Sequence, residues 1–399
     1  MSNLNYLGKL LDGVDVEWLP LGNLAEIGTG KSNRQDETED GEYPFYVRSK
    51  NILRSSTFQF DEKAIVVPGE GGIGDIFHFV EGKYALHQRA YRIKATIDVL
   101  DTKFLYHFMS SKFKQYILMK SVGATSISIR KPMLEGFQIP IPCPDNPEKS
   151  LAIQSEIVRI LDKFTALTAE LTAELNMREK QYNYYRDKLL SFDEEEVEWR
   201  AMGEIGVFTR GKRFVKADML SEGVPCIHYG EMYTHYNVWA CVTKSFLNND
   251  LAKKLRVAEH GDVIIVAAGE TIEDIGKGTA WLGQSDVVFH DACFSYRSPL
   301  NSKYIAYFTR TTVFHDQIKK HISSGKISAI NANGLSKVKI PIPSDEEQAR
   351  IVAILDKFDA LTNSITEGLP REIELRQKQY EYYRDLLLSF PQPPSDEVA

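Results

Sequence analysis

The chain repeats itself, and this repeat limits what it can fold into more than any other feature does. The segment Ile-Pro-Ile-Pro occurs at 139–142 and again at 340–343. Each copy is followed by a segment that contains Ile-Leu-Asp-Lys-Phe, at 160–164 and at 354–358. Internal self-similarity constrains the architecture of a chain more strongly than local patterns do. We therefore expect the 399 residues to form one structural unit used twice, rather than a single large domain.

A long helix is predicted after each Ile-Pro-Ile-Pro segment. Residues 151–190 contain neither Gly nor Pro, and apolar residues recur there at spacings of three and four, through a tandem Thr-Ala-Glu-Leu at 168–175. The second copy replaces the tandem with the segment 363–370, whose Gly and Pro predict a break or kink. Both copies continue into Gln-Tyr-x-Tyr-Tyr-Arg-Asp, at 181–187 and 379–385. Two helical connectors of nearly the same sequence are therefore expected.

The segments before the helices correspond more loosely. Val-Glu-Trp at 16–18 matches 197–199, and Gly-Lys at 30–31 matches 211–212 with the same shift of 181 residues. Strand-like and helix-like patterns alternate in both segments, which predicts a mixed α/β fold. One scaffold with two diverged surfaces indicates two globular modules that recognise two different targets.

The predicted organisation has four parts. Within the modules, helices are predicted over 103–120 and, in the corresponding place of the second module, over 303–322. The predicted parts are the first module at 1–142, the first helical spacer at 143–196, the second module at 197–343, and the second spacer with its tail at 344–399.

The net charge of −7 is an average over two kinds of surface. Residues 1–142 are neutral overall and residues 203–343 carry +4, whereas the remaining residues, 143–202 and 344–399, carry −11. Within the first module, residues 43–142 carry +6. A basic bias on the modules is typical of proteins that contact phosphate, although a solvated surface of mixed charge gives the same count. The acidic excess belongs to the predicted helices and tails.

Several classes of protein are disfavoured by the composition. No apolar run approaches the roughly 20 residues that span a bilayer, and the first residues lack a signal-peptide pattern. Cys143, Cys226, Cys241 and Cys293 form neither a Cys-x-x-Cys pair nor a zinc-spaced cluster. A disulfide scaffold and a zinc module are therefore not expected. We expect a cytoplasmic protein that binds no metal and has no membrane partner.

Two glycine-rich segments resemble nucleotide-binding motifs without the required context. Residues 25–32 fit a lenient P-loop pattern, but a polar loop follows where a P-loop needs a helix, and the copy at 206–213 lacks the Ser or Thr that binds Mg²⁺. Residues 69–74 fit Gly-x-Gly-x-x-Gly, but a strand is predicted after them, so we expect a hairpin turn. The two Gly-Lys pairs are better interpreted as turns that carry a cation.

An enzymatic alternative rests on Asp75, Glu81 and Lys83, which resemble the carboxylates and lysine of a metal-dependent nuclease. The second module has no equivalent of this set. The sequence also contains no His-Glu-x-x-His motif and no Asn-Pro-Pro-Tyr tetrad of a methyltransferase. We expect no catalytic centre in the chain, and incubation of the purified protein with DNA and Mg²⁺ tests the nuclease alternative.

Basic, aromatic and amide residues in the predicted loops are the candidates for DNA contact. Arg and Lys recognise guanine in the major groove, Asn recognises adenine, and the other cations hold phosphates. In the first module the candidates are Lys31, Arg34, Arg48, Lys50, Arg54, Arg89, Arg130 and Lys131. In the second module they are Arg210, Lys212, Arg213, Lys216, His228, Tyr229, Tyr233, His235, Lys326, Asn331 and Asn333. Each is also compatible with an ordinary solvated surface, so the prediction depends on the whole set.

The repeated motifs resemble those of a known family. The resemblance rests on five features: the doubled Leu-Asp-Lys-Phe and Gln-Tyr-x-Tyr-Tyr-Arg-Asp motifs, the Thr-Ala-Glu-Leu tandem, the Val-Glu-Trp segments at the start of each module and the Ile-Pro-Ile-Pro segments at its end. The chain resembles a specificity (S) subunit, HsdS, of a type I restriction–modification enzyme, in particular of the IC-type branch. The resemblance covers the whole chain, is strong in the helices, and is limited to the layout in the two modules.

This resemblance implies both a fold and a function. Each module would be a target recognition domain that reads one half of a bipartite double-stranded DNA site, and the site would be asymmetric because the modules differ. The two helices would form an antiparallel coiled coil in a pseudo-twofold tandem repeat, set the half-site spacing, and dock two methyltransferase (M) subunits. Those subunits would bind S-adenosylmethionine and flip the target adenine, and up to two restriction (R) subunits would use ATP and Mg²⁺. The chain itself would bind no cofactor and would not be an enzyme.

The residues expected to form the spacer or to dock partners lie on the predicted helices. They are Leu161, Phe164, Leu167, Leu171, Leu175, Tyr182 and Tyr185 in the first copy, and Leu355, Phe358, Tyr380 and Tyr383 in the second. The main alternative is a stand-alone DNA-binding protein, such as a repressor with two modules, which would bind DNA tightly without partners. Copurification with an adenine methyltransferase would distinguish the two.

Deletion of residues 172–175 tests whether the helix acts as a ruler. The deletion shortens the helix by about 6 Å, because a helix rises about 1.5 Å per residue. Since one base pair rises about 3.4 Å, the spacer between the half-sites should change by about one or two base pairs while both half-sites stay the same. Mapping of methylated adenines after co-expression with the M subunit measures this change. An unchanged spacer would contradict the ruler function.

Overall fold

The computed structural model describes residues 6–72, 74–120, 128–269, 271–323, 327–364 and 366–392. They form a mixed α/β structure, as predicted, in two compact units: Met1–Glu170 with Glu374–Ala399, and Leu171–Ile373. Each unit contains one module and parts of two helices, because the unit boundaries lie within the helices. The finer four-part division of the chain stays a prediction.

The first unit is built around one large sheet. Its strands are β1 (Val16–Pro20), β2 (Ala25–Thr29), β3 (Tyr43–Tyr46), β4 (Ile52–Ser55), β5 (Phe60–Pro68), β6 (His78–Leu86), β7 (Ala90–Ala95) and β8 (Gln138–Pro142). Its helices are α1 (Tyr6–Leu11), α2 (Leu21–Leu24), α3 (Thr102–Lys120), α4 (Lys131–Glu135) and the first part of α5 (Pro147–Leu189), with a short 3-10 helix at Arg34–Asp36. Six strands form a sheet in the order β2-β7-β5-β6-β3-β4, and β1 pairs with β8.

The second unit repeats this plan with shorter strands. The strands are β9 (Trp199–Ala201), β10 (Val207–Arg210), β11 (Val224–Ile227), β12 (Trp239–Ala240), β13 (Ser245–Leu247), β14 (Val257–Ala258), β15 (Val263–Val266), β16 (Ala268–Gly269), β17 (Gly278–Trp281), β18 (Val287–Phe289), β19 (Cys293–Arg297), β20 (Ser328–Ala329) and β21 (Lys339–Pro341). The helices are α6 (Met202–Ile205), α7 (Glu231–Thr234), α8 (Asn249–Ala252), α9 (Ser302–Phe308), α10 (Thr312–Lys319), α11 (Ala332–Ser336), α12 (Asp345–Asn363) and the start of α13 (Gly368–Leu387). The end of α5 also belongs to this unit, and the rest of α13 belongs to the first. Short 3-10 helices lie at Lys216–Asp218 and Ile272–Asp274. The main sheets have the orders β10-β19-β15-β17-β12 and β13-β11-β18-β14.

The repeated entry and exit motifs pair with each other in both units. Strand β1 runs antiparallel to β8 and places Trp18 opposite Pro140, while β9 runs antiparallel to β21 and places Trp199 opposite Pro341. A second shared feature is a parallel pair, β3 with β6 in the first unit and β11 with β18 in the second. The two modules therefore share these strand pairings, although the second module divides its strands between two main sheets where the first has one.

The apolar face of α3 explains why this helix was predicted correctly. Phe104, Phe108 and Phe113 recur at helical spacing and are buried in the core of the first unit. The same core contains Ile157 of α5 and Leu387 of α13. The amphipathic pattern of one helix thus joins the sheet to the two helical connectors.

The helix predicted over 303–322 is wrong as a single element. The chain forms α9 and α10 instead, separated by residues 309–311. The Thr309 and Thr311 hydroxyls donate to the carbonyl oxygens of Ala306 and Phe308, each over 2.7 Å. Thr311 Oγ1 also accepts from the Phe314 N–H and so caps α10. Threonine side chains that bond locally to the backbone compete with helix continuation, and this ends α9.

The helical connectors follow the predicted pattern. Helix α5 continues without a break for 43 residues. The second connector breaks as expected, because α12 ends at Asn363 and α13 begins at Gly368, whose φ of +77° suits glycine. Within the described residues, no helix is long and apolar enough to cross a membrane.

A glutamine at the start of each connector fixes it to the module before it. Gln154 is buried, accepts from the Asp101 N–H over 2.8 Å and donates to the Val99 carbonyl over 2.6 Å. Gln348 is buried in the same way and accepts from the Asn301 N–H over 2.9 Å. Buried amides with satisfied hydrogen bonds define one geometry, so the repeated glutamine explains how each helix is held.

The aspartate of each Leu-Asp-Lys-Phe motif provides a second attachment. Asp162 accepts from Lys103 Nζ over 2.6 Å and lies 3.0 Å from His107 Nε2. Asp356 accepts from Lys303 Nζ over 2.8 Å and from the Tyr307 hydroxyl over 2.7 Å. The lysines occupy corresponding positions at the starts of α3 and α9. The same ion pair therefore joins module and connector in both units.

We expect Asp356→Ala to lower the free energy of unfolding of the second unit by about 1–3 kcal/mol, because the buried Tyr307 hydroxyl loses its acceptor. Burial raises the pKa of Tyr307, so this hydroxyl remains a donor at neutral pH. Urea unfolding of the full chain measures the change. Asp316→Ala is the matched control, since its ion pair with Lys319 is exposed and should contribute less than about 0.5 kcal/mol. Equal effects of both substitutions would contradict the attachment.

Candidate nucleic-acid interface

A cleft of about 560 Å³ lies where β3 and β6 of the first unit end. Its lining includes Arg34, Arg48, Asn51, Glu70 and His87. Two predicted DNA contacts, Arg34 and Arg48, are therefore brought together in one concave site. The other lining residues named here were not among the sequence-based candidates.

A carboxylate between two arginines organises this cleft. Arg48 Nη1 donates to Glu70 Oε2 over 2.9 Å, and Arg89 Nη1 donates to the same oxygen over 3.1 Å. These bonds hold the pKa of Glu70 below its usual range, with Arg89 as the larger cause. The side chains of Arg48 and Arg89 remain 45% and 56% exposed. The cluster, which we call the Arg48–Glu70–Arg89 cluster, is thus ordered yet accessible.

The remaining candidates of the first module lie on its surface. Lys31, Lys50, Arg54 and Arg130 are exposed. Lys131 is also exposed and lies 3.6 Å from Glu135 in an ion pair along α4. The structure does not bring these residues into the cleft, and they stay candidates for DNA contact.

In the second unit, the corresponding position carries a cluster of aromatic rings. His228 lies 4.6 Å from both Tyr229 and His290, measured between ring centroids. Phe214 lies 5.2 Å from His290, and Tyr229 lies 6.4 Å from Tyr233. Three of these five residues, His228, Tyr229 and Tyr233, were predicted from the sequence. We call the five residues the ring cluster.

Cations border the ring cluster but two of them are engaged within the protein. Arg210 Nε donates to the Asp291 carbonyl over 3.0 Å, and Lys212 Nζ donates to the Lys254 carbonyl over 2.8 Å. Arg213 and Lys216, which flank Phe214, are exposed. Arg213 and Lys216 are therefore the better candidates for phosphate contact in this module.

The remaining candidates of the second module, among them Asn331 and Asn333, do not belong to the ring cluster. Asn331 caps α11, because its side chain accepts from the Gly334 N–H over 2.9 Å, and Asn333 is exposed on the same helix. His235 is exposed and packs edge-on to Tyr236 at 4.9 Å. Lys326 lies outside the described residues. The structure therefore assigns a local helix-capping role to Asn331.

Two histidines that the sequence analysis missed occupy the same place in both modules. His87 Nδ1 accepts from the Arg89 N–H over 3.0 Å, and His290 Nδ1 accepts from the Ala292 N–H over 3.1 Å. Both are nearly buried, and burial lowers the pKa of both rings. They are 203 residues apart rather than 181, because the second module is longer before this point. A constant shift therefore could not find them.

The Gly-Lys pairs form close turns beside these histidines. A Cβ on Gly30 would collide with the Leu86 carbonyl, and one on Gly211 would collide with the His290 carbonyl. Strand β2 ends at Thr29, and only a three-residue 3-10 helix follows. The interpretation of 25–32 as a turn rather than a P-loop is confirmed, since the helix needed to bind phosphate does not follow the strand.

A family model described as the Type I restriction modification DNA specificity domain matches residues 13–178 and 194–375. The chain belongs to this family. It is 38% identical to the specificity subunit of the type I restriction enzymes EcoR124I and EcoR124II of Escherichia coli, over 98% of this chain and 99% of that one. It is 33% identical to the EcoprrI specificity subunit of Escherichia coli, over 92% and 93% of the two chains.

The fold agrees with that of a solved family member. The S subunit of a type I restriction–modification system from M. genitalium matches with a TM-score of 0.57 at 17% identity, over 96% of this chain and 98% of that one. This match shows the fold. A specificity subunit supplies recognition rather than catalysis, so the chain is not an enzyme.

The residues of the nuclease alternative do not converge in this specificity subunit. Asp75 pairs with Lys114 over 2.6 Å, Glu81 pairs with Lys63 over 3.0 Å, and Lys83 lies over the ring of Phe58. In the described ranges, no group of three or more His, Cys, Asp or Glu is arranged to bind a metal ion. The segment 69–74 joins the antiparallel strands β5 and β6, which confirms the predicted hairpin turn, with residue 73 outside the described residues.

Most of the predicted spacer residues pack within their own unit. Leu161, Tyr182 and Leu355 are buried, and Leu167, Leu171, Leu175 and Tyr380 are half-buried. Phe164 stacks on Tyr383 at 5.3 Å in the first unit, and Tyr185 stacks on Phe358 at 5.6 Å in the second. The two stacked pairs therefore pack helix against helix within each unit, while Tyr185 and Tyr383 remain 43% and 37% exposed.

The tyrosines that are most exposed were not predicted. Tyr184 and Tyr382 are 60% and 55% exposed, and each packs edge-on to the next tyrosine at 5.3 Å. Helical spacing could have found them. In Tyr-x-Tyr-Tyr, the first and last tyrosine lie three residues apart on one face, so the middle one lies on another.

We expect Gly30→Ala to lower the free energy of unfolding of the first unit by about 1–3 kcal/mol, because the added methyl group collides with the Leu86 backbone. Gly28→Ala, two residues earlier in strand β2, is the matched control, since its methyl group would make an ordinary 3.4 Å contact with the flexible Arg92 side chain. Thermal unfolding of both variants measures the difference. A Gly30→Ala variant as stable as Gly28→Ala would contradict the close turn.

Proposed function

We propose that this specificity subunit recognises an asymmetric, bipartite double-stranded DNA site, with one half-site bound by each module. The supporting observation is a difference at one shared position. After the parallel strand pair, the first module carries the Arg48–Glu70–Arg89 cluster and the second carries the ring cluster. A common scaffold with different chemistry at the same place suits two different base sequences.

The distribution of charge supports contact between the modules and DNA. Residues 43–142 carry +6 and residues 203–343 carry +4, whereas the connectors and tails carry −11. Exposed cations such as Lys50, Arg54 and Lys216 suit phosphate contact, which releases counterions and makes binding depend on salt. The acidic connectors repel DNA and are better suited to protein partners.

We propose that the connectors dock two methyltransferase subunits. Tyr184 and Tyr382 present the same exposed ring pair in two places, and a repeated surface binds two copies of one partner. Aromatic rings are common anchors of protein interfaces. The exposed edges of Tyr185 and Tyr383 belong to the same surfaces.

The chemistry of the complex then belongs to its other subunits. The methyltransferase subunits bind S-adenosylmethionine and methylate an adenine that is flipped out of the duplex. Up to two restriction subunits use ATP and Mg²⁺ for cleavage. Because the target is chromosomal or incoming DNA, the proposed location is the cytoplasm. Membership of the IC-type branch is proposed on the motifs alone.

Co-expression of the chain with its methyltransferase subunit tests this function. We expect methylated adenines in a sequence made of two unlike half-sites that are separated by a spacer of fixed length. Long-read sequencing of the host DNA detects the modified positions. Tight binding of the isolated chain to a single continuous site, without any methylation, would instead support the stand-alone repressor.

We expect Tyr184→Ala to reduce the number of bound methyltransferase subunits from two to one, and the double variant with Tyr382→Ala to reduce it to none. Both rings are exposed, so their loss should leave the fold unchanged. Native mass spectrometry of the purified complex counts the subunits. Met119→Ala is the control, because Met119 is 63% exposed on α3 of the first module and should not affect docking. An unchanged stoichiometry in the double variant would contradict the docking surface.

A further inference from the structure

We infer that Arg48 and Arg89, held by Glu70, recognise guanine in the half-site that the first module binds. This inference rests on the proposed function and adds the identity of one base that the first module recognises. It makes the Arg48–Glu70–Arg89 cluster a reader of base identity, with Glu70 as the positioning residue.

The two guanidinium groups keep the donors that guanine requires. Each uses only Nη1 on Glu70, and in the described part of the chain the Nε and Nη2 donors of both groups have no hydrogen-bond acceptor. Arg recognises guanine by two parallel hydrogen bonds to O6 and N7. Because a terminal nitrogen is already fixed, little side-chain freedom remains to be lost when DNA binds.

The charge of the cluster favours a base over a phosphate. Glu70 neutralises one of the two guanidinium charges, and its lowered pKa keeps it ionised. A phosphate would meet this carboxylate at close range, whereas the edge of a base pair carries no net charge. Arg54, by contrast, is exposed and does not line the cleft with Glu70, so it suits contact with the DNA phosphate backbone.

The second module lacks this cluster at the corresponding position. Tyr229 occupies the place of Arg48 at the shift of 181 residues, and Ala292 occupies the place of Arg89 at the shift that aligns the two histidines. Guanine recognition by such a cluster is therefore expected in only one half-site. Recognition of the second half-site can serve as the internal control when the cluster is substituted.

Arginine-to-lysine substitutions separate base recognition from charge. Arg48→Lys and Arg89→Lys keep the positive charge but lose the planar fork. Discrimination is the ratio of the affinity for the mapped site to the affinity for a site whose guanine in the first half is replaced. In the complex with methyltransferase subunits, we expect each of the two substitutions to reduce this ratio by about 5- to 150-fold. Affinity for unrelated DNA and the second half-site should not change. Fluorescence anisotropy with labelled duplexes measures all of these affinities.

Glu70→Gln tests the positioning role. Removal of the negative charge should raise the affinity for unrelated DNA. The neutral amide oxygen of Gln is a weaker acceptor for the two guanidinium groups than the carboxylate, so discrimination at the same guanine should fall. If Glu70 acted only through its charge, Glu70→Gln would raise the affinity for the mapped site and the affinity for unrelated DNA by the same factor. Arg54→Lys is the matched control, since Arg54 is exposed in the same module and lies outside the cluster, and it should leave discrimination unchanged.

The outcomes distinguish this inference from the function on which it rests. A first half-site without a G·C pair, or equal losses on the mapped site and on unrelated DNA, would overturn the inference while bipartite methylation still supported the function. If the unsubstituted complex methylates no bipartite site, the proposed function fails and the inference fails with it. Relaxed recognition of one guanine in the first half-site alone is the result that we expect.

Discussion

The attachment of each module to its helix is the constraint on which the rest of the structure depends. The aspartate of each Leu-Asp-Lys-Phe motif binds the lysine at the start of the module's helix, as in Lys103 with Asp162 and Lys303 with Asp356. The buried glutamines Gln154 and Gln348 add a second point of attachment. Two attachments define an orientation, whereas one would allow rotation. The recognition surfaces can therefore diverge while each module keeps its place on its helix.

This arrangement separates two functions within one chain. The connectors contain the repeated sequences, most of the acidic excess and the exposed tyrosine pairs, and these properties suit a protein partner that is bound twice. The modules carry the basic bias and the two unlike clusters at one shared position. The net charge of −7 is thus the sum of a basic excess on the modules and a larger acidic excess on the connectors and tails.

Periodic features were predicted well because they are local. Apolar spacing located α3 and the unbroken α5, and the glycine at 368 located the break between α12 and α13. The prediction over 303–322 failed because Thr309 and Thr311 bond to the backbone, which an apolar pattern does not reveal. The burial of Leu161 and Tyr182, two of the predicted spacer or docking residues, also depends on neighbours that are distant in sequence.

The sequence by itself determined the doubling of the chain, the mixed α/β class, the long helices and the family, since repeats and helical periodicity are visible along one dimension. Only the tertiary structure decided which charged and aromatic residues act together. Glu70 lies 22 residues from Arg48 and 19 from Arg89, and the ring cluster joins Phe214 to His290. Such contacts form where separate strands end beside each other, and the pairing of strands depends on long-range packing that no local pattern encodes.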